Sequence, residues 1–469
     1  MVFSSLVFLC IFLPIVLILH HSISSLAWRN TILIITSLLF YAYGEPVYVV
    51  LVIISTIVNY FVGRGMAFKA PLLRKWILIF GILTNLGFLL FFKYIGMFID
   101  TVNTIFSANI TVVEVALPIG ISFYTFESIS YIVDVYRREV EPQKNYFKFL
   151  LFISLFPQKI AGPIIKYRDM GHQISDRIVT AKKTAQGLHR FLIGLGKKVL
   201  ISNSVAVIAN NVFDASCYGQ VNALAAWAGA LAYMMQIYFD FSGYSDMAIG
   251  LGKMFGFDFK ENFNFPYGAT TMQEFWRKWH ISLSSWFKEY VYIPLGGNRR
   301  GRIRTSFNKM IVFFTTGFWH GAEWSFVVWG LVHGFFLLLE DFLPIKKLPV
   351  TVKRIYTLMV VCLTFVIFRA DTLSDAGILI SKMFTDWNFG TAQMSFFVRQ
   401  MTPMFILAMV AASWGCVPRH RNILEKLKEN QMVARIVPYV SYSWVYVVLI
   451  LSMLSLASDG YNPFIYFRF

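Results

Sequence analysis

The chain has 469 residues, of which 57% are hydrophobic and only 14% are charged, and its formal net charge is +17. Soluble proteins carry roughly 25% charged residues, so this composition excludes a soluble globular protein and indicates a polytopic membrane protein. The basic residues stand in short loops between apolar runs, the pattern that sets membrane topology, so the charge does not indicate nucleic-acid binding. The four cysteines lack the spacing of a metal site or a disulfide framework. We expect one integral-membrane domain over residues 1–469.

Hydrophobic segments follow one another along the whole chain. A membrane-spanning helix needs about 20 apolar residues, and roughly ten to thirteen segments meet this requirement. The distribution of Lys and Arg between the segments predicts an external N-terminus and a cytoplasmic loop at Arg137 and Arg138. The predicted spans are residues 2–20, 30–45, 46–62, 76–97, 112–133, 187–212, 222–240, 310–339, 354–370, 401–417 and 437–457.

The segment Phe149–Ile165 departs from this alternation because it is apolar but has basic residues on both sides. It also contains Pro157 and Gly162, which disfavour a straight helix. A re-entrant hairpin would keep both flanks in the cytoplasm, and irregular backbone is tolerated at membrane depth where protein or water surrounds it. We therefore predict re-entrance here rather than a straight span.

Residues 258–309 combine tryptophans with Lys and Arg, a pattern typical of helices that lie at the membrane interface. Within this stretch, the turn Leu295–Gly301 contains two adjacent glycines. Glycines let the backbone approach a phosphate, and arginine pairs with it, so Asn298 and Arg299 are candidate substrate-binding residues. The alternative, which the sequence favours, is that these basic residues only set topology.

The apolar residues from Met310 to Leu339 are long enough to cross a bilayer and yet contain His320, Glu323 and His333. An ionisable group at membrane depth costs about 2.5–3.5 kcal/mol on insertion scales, so it is retained for a partner or a task. A neutral imidazole accepts a hydroxyl proton near pH 7, which makes His320 a candidate general base. A packed, hydrogen-bonded histidine is the alternative. On an unbroken helix His333 would point elsewhere, and we expect it to be a structural hydrogen-bonding residue.

A second histidine, His280, lies four residues from both Trp276 and Ser284, so all three would share one face of a helix. Its predicted roles are substrate orientation or a second proton relay, and the alternative is an interfacial histidine bound to water. We expect His280 and His320 to approach one cavity, within about 10 Å of each other, close enough to share a substrate or bridging waters. Apolar walls that contact the substrate are expected from Trp276, Trp279 and Trp319, with Ser284 beside them.

The stretch Tyr238–Asp246 places acids, serines and tyrosines directly after an apolar run. Polar groups at this depth favour the wall of a polar cavity. The alternative is a helix break whose side chains satisfy the freed backbone groups, and both interpretations stay open. The candidate substrate contacts here are Asp240, Ser242, Tyr244 and Asp246.

Several motifs together resemble those of the membrane-bound O-acyltransferase family, and within it the bacterial polysaccharide O-acetyltransferase branch. The resemblance covers nearly the whole chain. It places the family's essential histidine at His320 and a second family histidine at His280. The motifs that carry it are Met1–Ser5, Leu117–Tyr124, Phe126–Tyr131, Ala161–Pro163, Asp240–Gly250, Trp279–Ser284, Trp319–Ala322 and Pro463–Phe469.

The resemblance implies an all-α fold in which a ring of transmembrane helices, with re-entrant and interfacial helices, surrounds a central funnel. It implies acyl transfer with His320 as the base and acetyl-CoA as a cytoplasmic donor substrate, without a bound cofactor or metal. The acetyl group would reach an exported polysaccharide through a secreted or membrane-anchored acetyltransferase partner. The implied location is the bacterial cytoplasmic membrane, with membrane lipid around the protein.

Two other functions stay open. A transporter that moves an acyl carrier or a polymer without chemistry would use Asp240 and Asp246 for proton coupling. A member of the same family with another acceptor, such as teichoic acid or a protein, would share the histidines. The variant His320→Ala tests the transporter, because a catalytic site would keep substrate binding and lose transfer. Mass analysis of the cell-surface polymer tests the acceptor.

Overall fold

The computed structural model describes residues 1–68, 70–111, 115–159, 162–427, 429–458 and 464–465. Within these ranges the chain is helical and has no β-strand, which confirms the predicted all-α class. The α-helices are α1 (Leu13–Ser22), α2 (Leu26–Gly44), α3 (Tyr48–Gly65), α4 (Pro71–Leu89), α5 (Ile95–Phe106), α6 (Ile121–Arg137), α7 (Tyr146–Ser154), α8 (Tyr167–Ser175), α9 (Ala181–Gly196), α10 (Asn203–Asp214), α11 (Ala223–Met254), α12 (Met272–Lys278), α13 (Ile281–Phe287), α14 (Gly301–His320), α15 (Trp324–Phe342), α16 (Val350–Arg369), α17 (Leu373–Thr385), α18 (Thr391–Gln400), α19 (Pro403–Gly415), α20 (Arg419–Leu427) and α21 (Gln431–Ser458).

Six helical stretches among the described residues are long and apolar enough to cross a bilayer. Two of them combine a pair of helices joined by a π-helical segment, α4 with α5 and α9 with α10. Helices α18 and α19 meet at a bend of 63° and would add a broken span or a re-entrant loop. The six stretches are Tyr48–Gly65, Pro71–Phe106, Ala181–Asp214, Trp324–Phe342, Val350–Arg369 and Gln431–Ser458.

This number is below the roughly ten to thirteen hydrophobic segments expected from the sequence. The predicted spans 2–20, 30–45, 112–133 and 222–240 are not among the six. Helices α1 and α6, with 10 and 17 residues, are too short. Helices α2 and α11 are long enough, but polar side chains lower their apolar content. The predicted multi-pass membrane protein is nevertheless confirmed.

The contacts within the described chain divide it into two compact units. The first contains Met1–Phe191 and Met247–Lys260, and the second contains Leu192–Asp246 and Glu261–Ile465. The predicted single domain over residues 1–469 stays a prediction. Three predicted features fall partly outside the described residues: the start of span 112–133, Ala161 in the re-entrant segment, and the motif Pro463–Phe469 except for Phe464 and Ile465.

In the first unit, helix α7 has only nine residues. At 1.5 Å per residue it is about 14 Å long, well short of the ~30 Å hydrocarbon core. A single 3-10 turn, Phe156–Gln158, follows it. Beside this turn, Lys159 Nζ forms a buried ion pair with Glu127 Oε2 at 3.0 Å. The described part of Phe149–Ile165 is therefore not a straight span, while the side of the membrane on which its flanks lie stays a prediction.

Helix α11 runs unbroken for 32 residues through the polar stretch Tyr238–Asp246. The predicted alternative of a helix break is therefore wrong. The helix survives because ion pairs satisfy its acids: Asp240 pairs with Lys198, and Asp246 Oδ2 lies 2.6 Å from Lys197 Nζ. The acids do not need to compete for the backbone groups of their own helix.

The predicted span Met310–Leu339 is wrong as a single helix, because the chain turns back after His320 and forms the antiparallel pair α14 and α15. Glycines permit the close approach of the two helices. A Cβ atom on Gly317 would lie 2.3 Å from Phe326 O, and one on Gly330 would lie 2.3 Å from Phe313 O. Any larger residue would force the backbones apart. The sharp turn leaves His320 at a helix end.

Candidate functional site

His280 lies in the second unit, between helices α12 and α13, where its φ of +43° places it in the left-handed region. The prediction that Trp276, His280 and Ser284 share one helix face is therefore wrong. A local hydrogen bond explains where α12 begins. The side chain of Thr271 caps α12 by accepting a hydrogen bond from Glu274 N. His280, in the left-handed conformation, then interrupts the helix, and its imidazole is buried.

The imidazole of His280 is fully buried, and burial lowers its pKa to about 3, so the ring is neutral at neutral pH. Its Nδ1 lies 3.2 Å from Asn262 Oδ1. That oxygen also accepts hydrogen bonds from Ser282 N and Ser282 Oγ, at 3.1 and 2.9 Å. Because a carbonyl oxygen only accepts, Nδ1 is the donor and Nε2 carries the lone pair. Among the described residues, Nε2 has no hydrogen-bond partner.

His320 is the last residue of α14 and is 4% exposed. Three aromatic rings enclose it edge-to-face. The ring centroids of Trp319, Trp329 and Phe368 lie 4.9, 5.0 and 5.3 Å from that of the imidazole. Apolar walls of this kind exclude water from a reacting group.

Both candidate histidines pack against the indole ring of Trp319. The ring of Trp319, 4.9 Å from His320, also lies 5.9 Å from the ring of His280. The ring of His280 also packs edge-to-face against that of Phe241, with centroids 4.7 Å apart. Neither imidazole lines the cavity described below, so the expectation that both approach one cavity stays a prediction. The roles assigned to His280 and His320 stay predictions.

His333 lies on α15 and is fully buried. Trp276 Nε1 donates a hydrogen bond to His333 Nδ1 at 3.3 Å. The ring of His333 packs 4.8 Å from that of Trp329, which in turn packs against His320. The residue expected to be remote from His320 is thus connected to it through a single indole.

A cavity of about 290 Å³ opens beside these rings, between helices α12 and α13 and the antiparallel pair. Two predicted substrate contacts line it, Trp276 and Ser284. Its charged lining residues, Arg277, Lys288 and Lys309, are all basic, and the sequence interpretation had not assigned them to substrate binding. The complete lining is Gln273, Trp276, Arg277, Leu283, Ser284, Phe287, Lys288, Tyr292, Lys309, Val312, Phe313, Thr316 and Leu337.

Eight of the ten predicted substrate contacts are absent from this lining, the turn residues Asn298 and Arg299 among them. Asn298 and Arg299 are exposed in the turn that precedes α14. The glycines before them have φ values of +106° and +57°, so the turn itself explains the pair Gly296 and Gly297. The structure does not bring this turn to the cavity, in agreement with the topology-setting alternative.

Trp279 is 3% exposed and packs in an aromatic core. Its ring stacks on Phe275 at 5.5 Å and contacts Phe365 at 5.3 Å. These contacts pack the end of the short helix α12 against the aromatic core. A direct substrate contact by Trp279 stays a prediction.

The polar residues of α11 form a separate ion-pair cluster, made of Lys197, Lys198, Asp240 and Asp246. Asp240 Oδ1 pairs with Lys198 and accepts a hydrogen bond from Ser202 Oγ at 3.3 Å. Asp240 Oδ2 accepts one from the backbone N–H of Ile465 at 2.8 Å. Both carboxylate oxygens are thus occupied.

The two other predicted contacts on this helix are buried near the same place. Ser242 is 3% exposed, and its Oγ has no hydrogen-bond partner among the described residues. The ring of Tyr244 packs against Phe464 at 4.8 Å. Neither lines a cavity described here, and their roles as substrate contacts stay predictions.

Sequence reasoning missed four residues that contact the histidines. Asn262 orients His280, Phe241 packs on it, and Trp329 and Phe368 enclose His320. Trp329 alone carried a local signal, since it lies nine residues after His320 in the same apolar run. Contacts between distant segments fix the other three.

Comparisons with known proteins identify the family of the chain. The profile of MBOAT, the membrane-bound O-acyltransferase family, matches residues 137–343, a range that contains His280, His320 and His333. The chain is 38% identical to the probable alginate O-acetylase AlgI of Pseudomonas putida over the full length of both proteins. It is 42% identical to the probable alginate O-acetylase AlgI of Pseudomonas aeruginosa, over 84% of this chain and 76% of the relative. It is 36% identical to the peptidoglycan O-acetyltransferase of Helicobacter pylori, over 80% of this chain and 78% of the relative.

Proposed function

Because the chain belongs to the membrane-bound O-acyltransferase family, we propose that it moves an acetyl group from cytoplasmic acetyl-CoA across the bacterial cytoplasmic membrane for O-acetylation of an exported polysaccharide. The observation that carries the proposal is the position of His320. It is a buried imidazole at a helix end, enclosed by three aromatic rings and joined through Trp319 to a second neutral histidine.

The chemistry follows from the imidazole. His320 accepts the proton of the acceptor hydroxyl, and the hydroxyl oxygen attacks the carbonyl carbon of the donor thioester. The C–S bond then breaks, and the thiolate takes the proton back from His320. The aromatic walls limit competing hydrolysis because they keep water out. His280, with a lone pair at Nε2, supports the reaction by orienting a hydroxyl or relaying a proton.

The basic cavity supports an anionic donor. Acetyl-CoA carries phosphates, and Lys and Arg pair with phosphate oxygens. Arg277, Lys288 and Lys309 line the cavity together with the apolar ring of Trp276. Lys309 already forms an ion pair with Asp341. We therefore assign the phosphate-bearing end of the donor to Arg277 and Lys288, and the acyl end to the aromatic side of the cavity.

The relatives support the choice of acceptor. Two are named for O-acetylation of alginate and one for O-acetylation of peptidoglycan. Both polymers are bacterial saccharides with hydroxyl groups, so the proposed acceptor class for this chain is an exported polysaccharide. A secreted or membrane-anchored acetyltransferase partner is proposed to complete the transfer.

The structure does not favour the transporter alternative. It required Asp240 and Asp246 as titrating residues, yet both form ion pairs with neighbouring lysines.

The proposal is tested with the purified protein in lipid nanodiscs, supplied with radiolabelled acetyl-CoA and the cell-envelope fraction of the producing cell, as the source of both the polymer and the proposed partner. Transfer of label should require His320 and should stop in His320→Ala. The variant His172→Ala, which removes an exposed histidine of α8, is the matched control and should transfer normally. Acetylation by His320→Ala at the wild-type rate would refute the role of the base. Movement of labelled donor or polymer across the bilayer of proteoliposomes, without any acetylation, would favour a transporter.

A further inference from the structure

We propose that the indole N–H of Trp329 and the imidazole N–H of His333 stabilise the negative charge that develops on the acyl carbonyl oxygen during transfer. The inference rests on the proposed function and names two further catalytic residues for it. Two buried donors next to the candidate base, neither with a hydrogen-bond partner among the described residues, carry the argument.

The hydrogen bond from Trp276 fixes the tautomer of His333. An indole N–H can only donate, so His333 Nδ1 must carry a lone pair to accept it at 3.3 Å. A doubly protonated imidazole has no such lone pair. The ring is therefore neutral, and its single proton resides on Nε2. Among the described residues, Nε2 has no hydrogen-bond partner, although the side chain is fully buried.

Trp329 presents a second donor of the same kind. The residue is 1% exposed, and its Nε1 has no hydrogen-bond partner in the described part of the chain. An indole nitrogen cannot accept, so this N–H can be satisfied only by an acceptor that enters the site. Buried polar groups in folded proteins are nearly always paired, and an unpaired one calls for a functional or structural explanation.

The two donors lie together and next to the base. Trp329 and His333 are four residues apart on α15, so they project from one helix face, and their ring centroids are 4.8 Å apart. The ring of His320 lies 5.0 Å from that of Trp329, nearly perpendicular to it. Donors already fixed by packing need no rearrangement when charge appears, which is the requirement for stabilising a transition state.

The step is a simple addition and elimination. As the acceptor oxygen bonds to the carbonyl carbon, its proton passes to His320 and the C=O π electrons move onto the carbonyl oxygen. The two N–H groups donate to that oxygen while it is negative. The C=O bond then re-forms, the C–S bond breaks, and the leaving thiolate takes the proton from His320. Hydrogen bonds that strengthen only in the intermediate raise kcat rather than lower KM.

The first experiment replaces Trp329 by phenylalanine, which keeps an aromatic ring and removes the N–H. Removal of one such donor costs about 10²–10³-fold in kcat, and the KM for acetyl-CoA should stay within about twofold because ground-state binding is unchanged. Trp227→Phe is the matched control. Its Nε1 donates to Met383 O at 2.8 Å, a structural hydrogen bond elsewhere in the same unit, and its loss should leave kcat intact.

The second experiment separates a donor from a packing role at His333. His333→Gln retains an N–H donor and should keep a larger part of the rate than His333→Leu, which retains none. Thermal unfolding of all variants is measured in parallel. Equal rates for the two His333 variants, or a Trp329→Phe variant with wild-type kcat, would overturn the inference. So would a rate loss that follows the loss of thermal stability across all variants.

Failure of this inference is distinguishable from failure of the proposed function. If His320→Ala is inactive while Trp329→Phe and His333→Leu are normal, the base is correct and the donor assignment is wrong. If His320→Ala itself transfers acetyl groups normally, the proposed mechanism fails first.

Discussion

The second unit buries two polar clusters of opposite character. In the ion-pair cluster, Asp240 uses both carboxylate oxygens, to Lys198, Ser202 Oγ and the N–H of Ile465. In the histidine cluster, formed by His280, His320, His333 and Trp329, three buried nitrogens have no hydrogen-bond partner among the described residues: His280 Nε2, His333 Nε2 and Trp329 Nε1.

Whether their buried polar groups have partners distinguishes a cluster that stabilises the fold from one that is available for chemistry. A buried donor or acceptor without a partner costs about 1–3 kcal/mol, so a cluster that exists only to hold the fold is expected to be fully paired. Asp240, at the centre of the ion-pair cluster, meets this expectation. The histidine cluster does not, and it combines two donors with a lone pair at His280, a set that can bind a hydroxyl and a carbonyl.

The largest effect is expected at His320. In His320→Ala, acetyl transfer should fall by about 10²–10⁴-fold because the general base is lost. The thermal unfolding midpoint should stay close to that of the wild type. Single-turnover kinetics and a thermal melt on the same nanodisc preparation measure the two quantities. A variant that unfolds easily but transfers normally would make His320 structural and erase the contrast between the clusters.

The opposite pattern is expected for Asp240→Ala. Breaking a buried ion pair by removing one partner costs about 3–5 kcal/mol, so stability should fall strongly, and kcat of the remaining folded protein should change little. Asp246→Ala is the control on the same helix. Its ion pair with Lys197 is more exposed, with side-chain exposures of 16% and 26%, so its loss of stability should be smaller. A selective loss of kcat in Asp240→Ala would assign this carboxylate to the reaction.

A pH titration sharpens the comparison at His280. Burial lowers its pKa to about 3, below the ~6.5 of an unfolded histidine. The unfolded chain therefore binds the proton first, and stability falls as the pH drops from about 6.5 toward 3, by at most about 1.4 kcal/mol per pH unit. His280→Gln should flatten this dependence, as measured by the free energy of unfolding in denaturant. An unchanged pH slope would show that the imidazole is more hydrated than its burial indicates.

The smallest effect is expected at the rim of the cavity. Lys288→Gln should raise the KM for acetyl-CoA about two- to fivefold and leave kcat unchanged, because one screened charge pair contributes about 0.2–1 kcal/mol. Arg302→Gln removes an exposed basic residue of α14 outside the cavity lining and serves as the control. Initial rates at several salt concentrations measure both. Equal KM values for the two variants would move the donor phosphates away from this cavity.

The sequence alone determined the membrane character, the helical class and the two histidines that meet at Trp319. These follow from local properties: apolar runs of spanning length, and ionisable residues retained within them at a cost. The family resemblance also rested on short motifs of contiguous residues. The one long span predicted over Met310–Leu339 failed because periodicity does not reveal a turn inside a continuous apolar run.

Only the tertiary structure decided how the polar groups are paired. Nothing in the local sequence shows that Asp240 is held by Lys198, 42 positions earlier, or that Asn262 orients His280. The same holds for Trp276 and His333, whose hydrogen bond fixes which ring nitrogen carries the proton. A side chain's chemical type is local, but whether its donors and acceptors are satisfied depends on segments that folding alone brings into contact.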